Sequence, residues 1–138
     1  METPLQNYVE QKIFSIRGIQ VMLDSDLAQL FEVETKVFNQ AVKRNSNRFP
    51  SNFRFQLTKE EYNLLRSQIV TLKQAQGQHR KYLPFAFTEQ GVAMLTGIIK
   101  SDIAVEMSIK IMIAFVEMRK LINSSMLLHS RINAIEIR

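Results

Sequence analysis

The sequence predicts a small α+β domain: a small antiparallel sheet or hairpin, a helix-turn-helix and a long carboxy-terminal helix. Three observations predict it. Short β-branched runs flank Arg17-Gly18, two helical apolar patterns meet at a short break after Val33, and an apolar heptad runs from Ile111 to Ile135. At 138 residues, 46% apolar and 22% charged, the chain has ordinary globular composition and the length of one domain. Disordered and fibrous classes are thereby excluded. A core of this size needs no metal or disulfide staple. Cysteine is absent, which excludes a disulfide framework and thiol chemistry and fits a reducing cytoplasm. No charge-free apolar run approaches the ~18–20 residues that cross a bilayer. The most apolar stretch, 103–116, contains Glu106 and Lys110, and Met1-Glu2-Thr3-Pro4 has no basic or apolar region of a secretory signal.

Taken in order, Ile13-Phe14-Ser15-Ile16 and Ile19-Gln20-Val21-Met22 form a hairpin about Arg17-Gly18, where glycine takes the positive φ of a tight turn. Asp24-Ser25-Asp26 supplies helix N-cap residues, and Leu27, Leu30 and Phe31 follow at helical spacing. A second helix is expected over about Thr35 to Arg44, with Val37, Phe38, Ala41 and Val42 on one face, ended by Asn45-Ser46-Asn47 and Pro50-Ser51-Asn52. Phe53 to Leu57 alternates as a half-buried strand. Thr58-Lys59-Glu60-Glu61 is a capping box that opens a helix to about Ser67. Residues 68–81 read as a polar, basic loop or weak hairpin. Pro84 is expected to keep Tyr82 to Phe87 off a central strand, and Thr88 to cap a short helix through Ile98.

The last helix is expected from near Ser101. Ile111, Ala114, Met118, Leu121, Ser125, Leu128, Ile132 and Ile135 are spaced 3, 4, 3, 4, 3, 4, 3, a heptad seam with one polar interruption. Packing on the chain's own domain accounts for it up to roughly Leu121. Beyond that point Leu121, Leu128, Ile132 and Ile135 are expected to join two copies into a homodimer. The pattern is still running at Arg138, so a continuation is expected. Residues 1–98 are thus assigned to one domain, and 99–138 to a helix that packs on the core and then extends as a coiled-coil-like oligomerisation element.

Charge is unevenly placed. Residues 1–35 carry a net −4, residues 36–81 a net +8 and residues 82–138 a net +1. A cationic middle third points to a polyanionic partner, although a merely solvated basic face is the bland account. The +8 segment begins on the second helix of the pair at about 26–44. There small Ala28 permits close approach, and Leu27, Leu30, Val33, Val37 and Ala41 are expected to fill the wedge. The face left outside would present Thr35, Lys36, Asn39, Gln40, Lys43 and Arg44. Amides pair bidentately with adenine, and cations read guanine or hold phosphates. Thr35, Lys36, Asn39, Gln40 and Lys43 are therefore expected to read bases, and Arg44, Arg48, Arg54, Lys73, Arg80 and Lys81 to meet the DNA backbone.

The run Val21-Met22-Leu23-Asp24, Asp26-Leu27-Ala28, Glu34-Thr35-Lys36 and Asn39 to Asn45 resembles the KilA-N-type DNA-binding domain of phages and mobile elements, specifically the branch called "ORF six N". Arg48-Phe49-Pro50, Phe53, Phe55-Gln56-Leu57-Thr58, Arg66 to Thr71, and Tyr82 to Leu95 continue the likeness in order, over roughly residues 12–120. The resemblance implies an amino-terminal DNA-binding module of a phage regulator or antirepressor-like protein. It brings no catalytic residue, ligand or operator.

Other readings have weaker support. The basic loop is either a wing, with Arg66, Lys73, Arg80 and Lys81 tracking phosphates and Tyr82 stacking, or a solvated segment. Thr88 to Gly91 is either an anion-binding helix end or an end capped by its own threonine. With two histidines, no cysteine, no G-x-S-x-G and no P-loop pattern, no metal site, cofactor, small-molecule substrate or enzymatic activity is expected. The function expected is sequence-specific binding of double-stranded DNA in the cytoplasm. A protein-interaction module is the alternative. RNA binding is third, because the aromatic residues do not interleave with the basic ones.

Overall fold

The computed structural model describes residues 4–68 and 82–136, the last twelve as helix backbone. In chain order the elements are α1 (Pro4–Gln11), β1 (Phe14–Ile16), β2 (Ile19–Leu23), α2 (Asp24–Leu30), α3 (Thr35–Arg44), a 3-10 turn (Ser46–Arg48), β3 (Arg54–Gln56), α4 (Lys59–Gln68), β4 (Phe85–Phe87), α5 (Glu89–Leu95) and α6 (Asp102–Glu136). The fold class is mixed α and β, as the sequence predicts. No helix among the described residues is long and apolar enough to cross a membrane.

The four strands form one antiparallel sheet in the order β1-β2-β4-β3. Its period-two alternation makes two cores. Met22 and Phe87 face a layer of helices and pack with Val9, Leu27, Phe38, Val42, Val92 and Phe115. Val21, Leu23 and Ala86 face the other way, onto Leu57 and onto Leu65 of α4 (Lys59–Gln68). Phe87 is the hub of the larger core. Phe38 and Phe49 meet its ring edge-on, with centroids at 5.5 and 5.9 Å.

Local chemistry explains the hairpin and α4. Arg17 and Gly18 both take left-handed φ, +57° and +72°, as a two-residue hairpin turn requires. Glu61 N–H donates to Thr58 Oγ1 (3.1 Å) and Thr58 N–H donates to Glu61 Oε1 (2.8 Å), so the capping box closes reciprocally. The Arg17 guanidinium also grips Glu61 through two bonds of 2.7 and 3.0 Å, tying the turn to α4.

Several expectations are corrected. β4 is a central strand, flanked by β2 and β3, although Pro84 precedes it. Pro84 stands outside the three-residue strand and contributes only its carbonyl, which accepts from Leu57 N–H (2.9 Å), so its missing donor breaks no ladder bond. α2 begins at Asp24 itself, after extended Leu23, with no side-chain cap bond; Asp24 is turned inwards instead. Thr88 caps α5 by accepting from Gly91 N–H (3.3 Å), but the helix stops at Leu95 rather than Ile98. α1 has no counterpart among the expected elements; it packs on α6 with the Gln6 amide donating to the Lys110 carbonyl at 3.0 Å.

Ser101 caps α6, accepting from Ala104 N–H at 3.0 Å. The heptad seam is buried at Ile111 and Ala114, half-buried at Met118, and 61% exposed at Leu121. The side chains of Leu128, Ile132 and Ile135 lie outside the described residues.

Candidate nucleic-acid interface

α2 and α3 pack as a helix pair joined by 31–34, a turn in which Glu32 takes a left-handed φ of +58°. Val33 N–H donates back to the Ala28 carbonyl (3.0 Å), and Phe31 N–H to the Leu27 carbonyl (2.9 Å), so the turn closes on α2. Leu27, Ala28, Leu30 and Phe31 are buried on the α2 side; Phe38 and Val42 are buried on α3. Val37, expected in the wedge, is 52% exposed. Phe38 takes the inward place, because the α3 stripe that meets the core is rotated by one residue from the expected one.

The outward face of α3 presents Lys36, Val37, Gln40, Lys43 and Arg44, all exposed, with Arg48 exposed on the 3-10 turn beyond. Thr35 is half-buried at the first helical position. Lys43 and Arg44 occupy the last turn, where cations also favour the helix dipole. The Arg48 guanidinium lies against Gly97, in the turn after α5.

Asn39 stands apart from that face. It is half-buried, and its Nδ2 donates to Asp24 Oδ2 at 3.0 Å. Its Oδ1 is buried with no hydrogen-bond partner among the described residues. Asp24 is 1% exposed, and its Oδ1 accepts from Ser25 N–H at 2.8 Å. A carboxylate accepts only, so the donor edge of Asn39 is fixed on Asp24. In this conformation Asn39 therefore joins α2 to α3, with its amide spent on that link.

Arg54 belongs to the same buried set. Its guanidinium lies 3.8 Å from the Phe85 ring centroid and 5.9 Å from that of Phe87, a cation–π stack on β4. Burial lowers its pKa, and the charge of Asp24 opposes that shift. Its Nε is buried with no hydrogen-bond partner among the described residues. The structure thus brings Asp24, Asn39 and Arg54 together behind α3, and Lys36, Gln40, Lys43, Arg44 and Arg48 in front of it. Lys73, Arg80 and Lys81 lie outside the described residues. Arg66 is exposed on α4, which packs on the opposite sheet face from α3.

The signal for the Asp24–Asn39 link is faint in the sequence. An aspartate at the start of one helix and an asparagine fifteen residues later on the next is equally a cap and an exposed amide. Val37 was legible only as an apolar residue, and its exposure depends on the rotation of α3.

At the start of α5, Thr88 N–H donates to the Phe53 carbonyl (3.0 Å) and Thr88 Oγ1 donates to that of Asn52 (3.1 Å). Gly91 is needed there, since a Cβ would overlap the Phe53 carbonyl oxygen. This end is closed by the chain's own groups, which favours the capped reading over an anion site.

No curated protein and no solved structure shows a significant match to the chain. The profile of the ORF6N domain matches residues 11–98, from the end of α1 through β1 to the turn after α5. That span takes in the hairpin, the helix pair, the whole sheet and α5, well over half the sequence, and so the chain belongs to the phage-associated ORF6N domain family.

Proposed function

We propose that this protein is a DNA-binding regulator that lays α3 in the major groove of double-stranded DNA in the cytoplasm. One observation supports this reading above the others. The exposed face of α3 combines an amide, three cations and a single aliphatic side chain (Lys36, Val37, Gln40, Lys43 and Arg44), and Arg48 continues it. Gln40 sits near the middle of that face, where it can pair with adenine, and Lys43 stands beside it toward the carboxyl end, which is the half of α3 that enters the groove. Arg44 and Arg48 take phosphates. The buried Asp24–Asn39 link holds α3 at a fixed angle on α2, so Asn39 acts on recognition by positioning the helix.

Fluorescence anisotropy with random duplex DNA, then with RNA, tests the reading. If about five phosphates are neutralised, affinity falls roughly 500-fold between 50 and 200 mM salt. Gln40→Ala should lose ~1–3 kcal/mol on the selected site and little on random duplex. A second reading, a protein-interaction module, draws on the exposed aliphatic side chains of α6. Failure to bind either nucleic acid at low salt would select it.

A further inference from the structure

Between Ile103 and Val116, α6 is apolar on nearly every side, the pattern of a helix covered all round. Ala104, Ile111, Ala114 and Phe115 meet the core. On the far side, Val105, Ile109, Ile113 and Val116 are 54, 58, 46 and 36% exposed. At 100° per residue these four fall within a sector of about 80°, a continuous stripe rather than scattered side chains. This stripe is a different face from the seam that leads to Leu121.

The ends of the stripe are charged with opposite signs. Asp102 continues it at the amino end and Lys120 at the carboxyl end, both exposed. The order is nearly palindromic about the level of Ile111. Ile109 and Ile113 each stand two residues from that level, Val105 six and Val116 five, and Asp102 and Lys120 nine each. A parallel neighbour would set aspartate against aspartate and lysine against lysine. An antiparallel copy sets Ile109 against Ile113, Val105 against Val116, and Asp102 against Lys120 at both ends. Lys120 also makes an exposed contact with Glu117 at 3.6 Å, weak enough to exchange.

We propose that a second copy of this chain docks antiparallel on the Val105–Ile109–Ile113–Val116 stripe of α6, about a twofold axis at the level of Ile111. This is an isologous interface, in which every contact between two different positions occurs twice. It replaces the heptad seam beyond Met118 as the site of pairing, and it does not depend on DNA binding.

Sedimentation equilibrium of the 138-residue chain, without DNA, tests it. The chain should dimerise. Ile109→Glu, at an exposed position that circular dichroism should show still folded, should weaken the dimer about a hundredfold, since the loss occurs twice. Asp102→Lys and Lys120→Asp should each weaken it about tenfold, and the two combined in one chain should restore it. Because the chain has no cysteine, mixing Val105→Cys with Val116→Cys protein should cross-link the two variants to each other in preference to themselves. A chain that stays monomeric at all concentrations would overturn the proposal. So would a dimer that survives Ile109→Glu but is lost with Leu121→Glu, or charge variants that do not rescue one another.

Discussion

Replacing Asn39 by aspartate keeps the shape of the side chain and inverts one hydrogen bond. In the native protein Asn39 Nδ2 donates to Asp24 Oδ2 at 3.0 Å, inside a site where Asp24 is 1% exposed. Losing a hydrogen bond to a charged acceptor costs about 1.5–3 kcal/mol. The new carboxylate would also face a like charge at contact distance, and each unit by which its pKa is raised adds about 1.4 kcal/mol. Arg54, nearby and stacked on Phe85, offsets part of this. A deficit of about 3–5 kcal/mol at pH 7.5 is expected, a large share of the ~5–15 kcal/mol that holds a domain together. The sign of the pH dependence follows. A carboxyl whose folded pKa is raised carries no penalty below its unfolded pKa of about 3.9, and the full penalty above the folded one. Near pH 4.5 the introduced carboxyl holds its proton and donates it back to Asp24. Urea denaturation at the two pH values measures the effect. At a slope of about 2 kcal/mol per molar, the midpoint should fall by about 2 M at pH 7.5 and by less than half that at pH 4.5. Asn39→Ala, which introduces no like charge, should show a smaller deficit at pH 7.5. An Asn39→Asp protein as stable as the native one at pH 7.5, or one whose deficit ignores pH, would refute the link between α2 and α3.

Three further outcomes are expected. The Arg17 hydrogen bonds, and after them the Thr58 amide, hold the Glu61 carboxyl at about 2, below its ordinary 4.5; its contribution is complete above pH 4.5 and is lost as the pH falls toward 2, so thermal melts should decline through that window and Arg17→Met should flatten the decline. Gly91→Ala should destabilise by about 2–4 kcal/mol in denaturant titrations, because its methyl meets the backbone of Phe53 rather than a side chain that can move. Glu32→Gly should raise stability by about 0.5–1 kcal/mol in calorimetry, relieving the left-handed φ of +58° at the turn between α2 and α3.

What could be read from the sequence was local. The hairpin about Arg17-Gly18, the Thr58–Glu61 box and the limits of α3 each depend on residues within four or five positions, and the structure has them where the sequence places them. Contacts made across the chain were not legible. α1 carries weak signals of its own, Pro4 at a first helical turn and Leu5, Tyr8 and Val9 at helical spacing, but it is stabilised by burying Val9 and Gln6 against the larger core and α6. The central position of β4 is masked in the sequence by Pro84, which stands just outside the ladder and so removes no bond from it. The candidate interface divides in the same way. Helical spacing alone places Lys36, Gln40, Lys43 and Arg44 on the outward face of α3, whereas the inward positions of Asn39 and Arg54 depend on partners in α2 and β4. A polar residue on a helix flank declares its chemistry in the sequence, but its direction is set by what is buried beside it.

The placement of charge along α3 bears on how a duplex would meet it. Glu32 and Glu34 are exposed at the turn before the helix, and Lys43, Arg44 and Arg48 gather at its far end. Glu34 stands at the N-cap without a side-chain cap bond, where a carboxylate favours the helix dipole by about 0.3–1 kcal/mol. If the amino end of α3 entered the groove, that same carboxylate would lie among phosphates and oppose binding. The ten residues of α3 span about 15 Å, and the screening length at physiological salt is about 8 Å. Phosphates held by Lys43 and Arg44 would therefore hardly sense Glu34. Docking through the carboxyl half predicts that Glu34→Gln lowers the melting temperature by only a few degrees and changes duplex affinity by less than about twofold at 150 mM salt, as anisotropy titrations would show. A roughly tenfold gain, equal on every sequence and growing as salt is withdrawn, would place the amino end of α3 against the backbone and reverse the orientation argued from Gln40, Lys43 and Arg44.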